Sequence, residues 1–334
     1  MKVKKLISGV LALGLAMSMG LTAFAETSDN YTDASTATLK KSYEAANAET
    51  TSPEETFAFS ALTCTNVEGA ASSITKENAP VPTIGSVEFG VGAAGSTAEV
   101  GNVTITLPEY TSVGIYTYSF NEIAGKTAGV TYNTNNFKLV VTVINGTGDN
   151  LLRVAGVHAE TAGGEKTDTF TNTYSAGSLS VTKEVTGNFG DKSKEFSVDV
   201  TFKAPEGKTV ASTISYEVGT QKYTIEPSEF VNGTVTKTIT VKHGSTVTFT
   251  NIPYGVTYSV AEQTSSSTGY KVSYDSNQNG TISTASVTTK ITNNKGTTPD
   301  TGVSLDSLPY IMMLAIAGVG LVVFAAKKRS MRED

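Results

Sequence analysis

Apolar and polar residues alternate one for one in short runs along most of this chain. Val103-Thr104-Ile105-Thr106-Leu107, Phe137 to Val143 and Phe196-Ser197-Val198-Asp199-Val200-Thr201-Phe202 are the clearest. Successive side chains of a strand point to opposite faces, so such runs predict strands with one face buried and one in water. Clusters of Gly, Asn, Asp and Pro separate them, with Asn145-Gly146, Glu206-Gly207 and Asn279-Gly280 as turn signals. Long amphipathic helical patterns are absent between residues 26 and 296. Many short strands at this spacing predict an all-β chain of β-sandwiches. The break at Ser175-Ala176-Gly177 divides it into an N-terminal domain over 26–175 and a C-terminal domain over 176–296.

The two ends depart from the pattern. Met1 to Ala25 has a basic start (Lys2, Lys4, Lys5), an apolar stretch and Ala23-Phe24-Ala25 before Glu26, the form of a secretory signal peptide over 1–25. Residues 297–334 carry Thr298-Pro299-Asp300-Thr301-Gly302, a polar spacer, an uncharged apolar run from Leu308 to Ala326, then Lys327-Lys328-Arg329. As a helix the run would be about 28 Å long, enough for a transmembrane helix with the basic cluster on the cytoplasmic side. Pro299 fixes the backbone and Gly302 relaxes it, around a bond that an external enzyme can grip. The pentapeptide resembles the sorting signal of Gram-positive surface proteins, where a sortase cysteine attacks the Thr carbonyl and passes it to an amine. That resemblance implies cleavage between Thr301 and Gly302, with Thr298 in place of the usual Leu.

Charge narrows the function classes. The ends hold seven of the 25 Lys+Arg and three of the 31 Asp+Glu, which leaves 18 against 28, or −10, over 26–301 with Arg153 its sole arginine. Such a chain offers no basic patch for nucleic acid. Cys64 is the single cysteine, so an exported chain must be stabilised without an intrachain disulfide. It lies in an apolar strand-like context and reads as a buried structural thiol. His158 and His243, with one cysteine, cannot build a structural zinc site, and no cofactor or metal is expected. There is also no nucleophile–His–acid set or phosphate loop, so the chain does not read as an enzyme.

The middle of the chain repeats itself. Tyr116-Thr117-Tyr118-Ser119-Phe120-Asn121-Glu122 matches Val256-Thr257-Tyr258-Ser259-Val260-Ala261-Glu262, each after a glycine (Gly114, Gly255). Phe170-Thr171-Asn172 matches Ile291-Thr292-Asn293, and Leu39-Lys40-Lys41 with Phe57 matches Val181-Thr182-Lys183 with Phe196. Strand parity places Leu39, Lys41 and Tyr43 on one face, and likewise Tyr116, Tyr118, Phe120 and Glu122, and Phe170 with Asn172. The same parity selects Lys183, Glu262 and Asn293 in the second copy, and it favours Lys41 over Lys40 and Asn293 over Asn294. Each domain therefore sets a lysine, a glutamate and an asparagine on apolar faces. Ionised, these side chains would cost several kcal/mol when buried. Burial lowers a lysine pKa and raises a carboxyl pKa, which yields a free amine beside a carboxylic acid. Against an Asn carboxamide the acid can polarise the carbonyl and shuttle protons. The amine attacks, ammonia leaves and an amide joins two strands.

With these phrases the chain resembles streptococcal-type major pilins over nearly all of 26–301. The second domain resembles a collagen-adhesin B-type (Cna-B) module through Leu179 to Gly187, Pro253 to Glu262 and Ile291 to Lys295. The resemblance implies two tandem immunoglobulin-like (Cna-B-type) β-sandwich domains. It also implies intramolecular isopeptide bonds Lys41–Asn172, assisted by Glu122, and Lys183–Asn293, assisted by Glu262. A pilin needs a surface lysine to accept Thr301 of the next subunit, shortly before the first domain's Asn. Lys166 fits, with Lys126 second. The implied protein is a structural subunit of a sortase-assembled, covalently polymerised pilus on a Gram-positive cell wall. Its partners would be sortase, neighbouring pilin subunits and peptidoglycan. The alternative is a monomeric sortase-anchored adhesin or minor pilin.

Overall fold

The computed structural model describes residues 34–47, 50–93, 98–146, 152–296 and 312–314. The signal peptide, the sorting pentapeptide with Thr301 and Gly302, and all of the apolar C-terminal run except the helical residues 312–314 lie outside them. Among the described residues no helix is long and apolar enough to cross a membrane.

The alternating runs form strands and little else. They assemble into four sheets, two before Ser175 and two after it. Phe57, Tyr118, Leu139 and Phe170 are among the side chains packed between the first pair of sheets; Val181, Phe202, Phe249 and Val260 are among those between the second pair. Full burial of each such side chain contributes about 1.5–3 kcal/mol, which is what holds two antiparallel faces together.

One topological feature is common to both sandwiches and sets up everything that follows. The first strand of each lies beside the last, and the two run parallel. Thr36–Ala45 pairs with Thr169–Tyr174, and Ala176–Thr186 pairs with Ser286–Asn294. Every other ladder between named strands is antiparallel. In the first sandwich Leu39, Lys41 and Tyr43 are buried, as are Phe170, Asn172 and Tyr174, while Thr38 and Thr171 are exposed; Ser42 is buried too, on the other face.

The chain passes from one sandwich to the other with a single residue, Ser175, between the two strands. The junction is hydrogen-bonded on several sides. The Ala128 N–H donates to Thr209 O and the Thr209 N–H to Lys126 O, both at 2.8 Å. Tyr174 Oη donates to Ser212 Oγ at 2.8 Å, and the Thr51 N–H to Asn251 Oδ1 at 3.1 Å. Gly129 sits in this seam with φ +82°, and a Cβ there would lie 2.7 Å from both Ser175 O and Tyr174 Cε2. Both the backbone angle and the space require glycine.

Candidate cross-linking sites

Parallel register decides which side chains of the first and last strands meet. Lys41 stands opposite Phe170, and Asn172 stands opposite Tyr43. Lys183 stands opposite Ile291, and Asn293 opposite Val185. In each sandwich the asparagine is therefore two residues further along, on the same inward face. Two residues of strand span about 6.6 Å, a gap that the four methylenes of a lysine can bridge.

The third member comes across the core from the facing sheet. Glu122 lies on the strand Gly114–Ile123 and Glu262 on the strand Thr257–Glu262. Lys41 Nζ donates to Glu122 Oε2 at 2.6 Å, and Asn172 Nδ2 donates to Glu122 Oε1. Lys183 Nζ donates to Glu262 Oε2 at 2.5 Å, and Asn293 Nδ2 donates to Glu262 Oε1 at 2.6 Å. One carboxylate thus holds an amine and a carboxamide, one on each oxygen, twice over. The exposures are 0 % for Lys41 and Asn293 and at most 8 %, at Glu262, for the other four.

Burial pushes both lysine pKa values down, and the hydrogen bonds and charges of Glu122 and Glu262 only partly oppose it. An amine driven toward its neutral form is a nucleophile. Beneath each Nζ lies a phenylalanine ring, Phe57 at 4.6 Å and Phe196 at 4.5 Å from the centroid. These are the two aromatic positions that recur after the lysines in the sequence repeat.

The sites differ at the carboxamide oxygen. Asn172 Oδ1 accepts the backbone N–H of Asn133 at 2.9 Å. Asn293 Oδ1 is buried and has no hydrogen-bond partner among the described residues, an omission that costs about 1–3 kcal/mol for a buried polar group. The sequence pattern pointed to an acid that polarises the carbonyl. The geometry instead sets each carboxylate against the amide nitrogen, and in the first site leaves the oxygen to a backbone donor. Sequence reasoning missed Asn133, because a backbone N–H has no residue signature. It also missed Tyr274, whose hydroxyl accepts the Glu262 N–H at 2.8 Å.

The remaining candidates lie apart. Lys40 is half-buried on the opposite face, and Asn294 is exposed and donates to Thr186 Oγ1 at 2.9 Å. Lys166 is exposed and opens the two-residue edge strand Lys166–Thr167, just past the turn. Lys126 is exposed too, but its carbonyl accepts the Thr209 N–H in the seam between sandwiches. Cys64 is a buried free thiol, held high by burial. His158 bonds Glu160 at 2.9 Å, and His243 Nδ1 accepts the Val185 N–H at 3.0 Å.

Comparison with known proteins bears on both sandwiches. Residues 37–175 match the family described as Spy0128-like isopeptide containing domain. By that match the chain is pilin-like. A pilin of Streptococcus pyogenes serotype M1 is 24 % identical over 336 residues, covering 95 % of this chain and 98 % of its own length. The pilin-like chain also shares its fold with two solved major pilins of that organism. One has a TM-score of 0.50 at 20 % identity, over 80 % of this chain and 100 % of the other. The second, a T-13 major pilin, has a TM-score of 0.51 at 17 % identity, over 78 % and 99 %. Pilins are structural subunits, not enzymes. Residues 177–295 of the pilin-like chain match a domain family of unknown function, DUF7601.

Proposed function

We propose that this chain is the backbone subunit of a sortase-assembled, covalently polymerised pilus on a Gram-positive cell wall. Each of its two immunoglobulin-like, Cna-B-type domains, over 26–175 and 176–296, is locked by a self-formed isopeptide bond. The observation that carries this reading is the recurrence of one buried Lys–Glu–Asn triad between first and last strands.

The chemistry follows from the groups present. A proton passes from the lysine ammonium to the glutamate, leaving a neutral amine and a carboxylic acid. Lys41 Nζ attacks Asn172 Cγ, and the new C–N bond gives a tetrahedral carbon. Glu122 returns its proton to Nδ2 and takes the surplus proton from Nζ. The Cγ–Nδ2 bond breaks and ammonia leaves. Lys183, Glu262 and Asn293 perform the same sequence in the second domain. The purpose is mechanical: tension entering the first strand reaches the last strand through a covalent bond, and the sheets between them carry none.

Assembly uses the ends. The signal peptide 1–25 directs export, and the segment 297–334 holds the precursor in the membrane. Sortase cleaves between Thr301 and Gly302 and joins Thr301 to Lys166 of the neighbouring subunit, or to peptidoglycan at the base. Exposure of Lys166 on an edge strand supports its role as acceptor. Wall extracts of the producing cell, boiled in detergent, are expected to show a high-molecular-weight ladder that Lys166→Ala abolishes and Lys126→Ala leaves intact. A single wall-linked band in the parent would make the protein a monomeric adhesin instead.

A further inference from the structure

The two triads share every side chain and differ at one atom, the carboxamide oxygen. In the first sandwich the edge strand Val130–Thr131 pairs only with Thr173 and Tyr174 and then leaves the ladder. The following backbone is released, and the Asn133 N–H turns to Asn172 Oδ1 at 2.9 Å. In the second sandwich the edge strand Lys271–Tyr274 stays in register past the asparagine, through Val272 opposite Asn293 to Tyr274 opposite Ile291. Its backbone is committed to the ladder, and among the described residues nothing donates to Asn293 Oδ1.

We infer that the Asn133 backbone N–H is an oxyanion donor of the first cross-linking site, without counterpart in the second, so that Lys41–Asn172 closes ahead of Lys183–Asn293. The inference rests on the isopeptide reading above. When Nζ adds to Cγ, the carbonyl π electrons move onto Oδ1, and a fixed donor at hydrogen-bond distance stabilises that charge. It also fixes the carboxamide so that Nδ2 faces Glu122 Oε1, the geometry in which the proton reaches the leaving group. In the second site neither service comes from a backbone group among the described residues, where Glu262 is the hydrogen-bond partner of Asn293.

The full chain, made by cell-free synthesis and sampled by tryptic mass mapping, reports each cross-linked peptide separately. In the unaltered chain the first bond is expected to form ahead of the second. Replacing the amide N–H at residue 133 by an ester oxygen is expected to slow the first bond roughly 100-fold and leave the second unchanged. Equal rates in the ester variant, with Cys64 still shielded from thiol labelling, would overturn the inference. Should the ester variant expose Cys64, the order of closure in the unaltered chain decides, and second-before-first or simultaneous closure overturns it. Absence of both cross-linked peptides in the parent would instead remove the isopeptide reading itself.

Discussion

The two sandwiches solve one problem with different surroundings. Around the first triad the same-face neighbours two residues before Glu122 and Asn172 are Phe120 and Phe170, and Phe59 and Phe137 complete a cluster whose ring centroids lie 4.3–6.2 Å apart. Around the second the corresponding neighbours are Val260 and Ile291, with Phe196 as the one ring beneath the amine. What stays constant is the two-residue offset between lysine and asparagine, the carboxylate from the facing sheet, and the aromatic floor under Nζ. The constant parts are those the chemistry touches. Packing is free to drift provided it excludes water, because desolvation is what drives the lysine toward its reactive form.

The comparison is broken most severely by removing a carboxylate. The parent is expected to be lighter than its composition by two ammonia molecules, Glu122→Ala and Glu262→Ala each by one, and the double variant by none. Each loses its covalent tie, about 5 kcal/mol by analogy with a disulfide closing a loop of this length, and strands a buried ammonium for about 3–5 kcal/mol more. Intact mass and denaturant unfolding check both parts, and a deficit of two ammonia molecules in either single variant would contradict the assigned roles.

Asn172→Ala and Asn293→Ala are milder, because the lysine keeps its carboxylate. Each should cost about 5 kcal/mol, and the two losses should differ by only about 0.2 kcal/mol, since loop entropy grows with the logarithm of length. Thermal unfolding followed by calorimetry would show one sandwich weakened while the other holds. A much larger loss at one site would mean that its packing depends on the bond.

The smallest effect sharpens the comparison through pH. In Asn293→Ala, Lys183 remains a free amine whose folded pKa lies below its unfolded value of 10.5. The unfolded chain then binds the proton more tightly, so stability is lowest well below the folded pKa and rises with pH until about 10.5 is passed. A parent carrying the proposed Lys183–Asn293 bond would have no such titration at this site. Urea midpoints between neutral and mildly alkaline pH should therefore climb in the variant relative to the parent, and a flat or falling difference would count against a depressed lysine.

Much of this was readable from residue order. Alternation gave the strands, and parity set Lys41 rather than Lys40, and Asn293 rather than Asn294, on the inner face, as the burial has it. The repeat of Phe57 and Phe196 was visible, although its meaning as a floor under the amines needed coordinates. Three things were hidden. Parallel pairing of the first and last strands depends on long-range topology, which local alternation does not encode. The turn of each carboxamide, nitrogen toward glutamate, depends on which donors surround the oxygen. The Asn133 contact arises from the point at which an edge strand leaves its ladder, a length of pairing that no side chain records.

The hand-over at Ser175 has a consequence for growth of the molecule. Since each module receives the polypeptide at one end and releases it at the other, heading the same way, no return loop is needed between modules. Another copy spliced in at that position would part the seam hydrogen bonds of the present junction but leave the strand pairing inside each sandwich where it was.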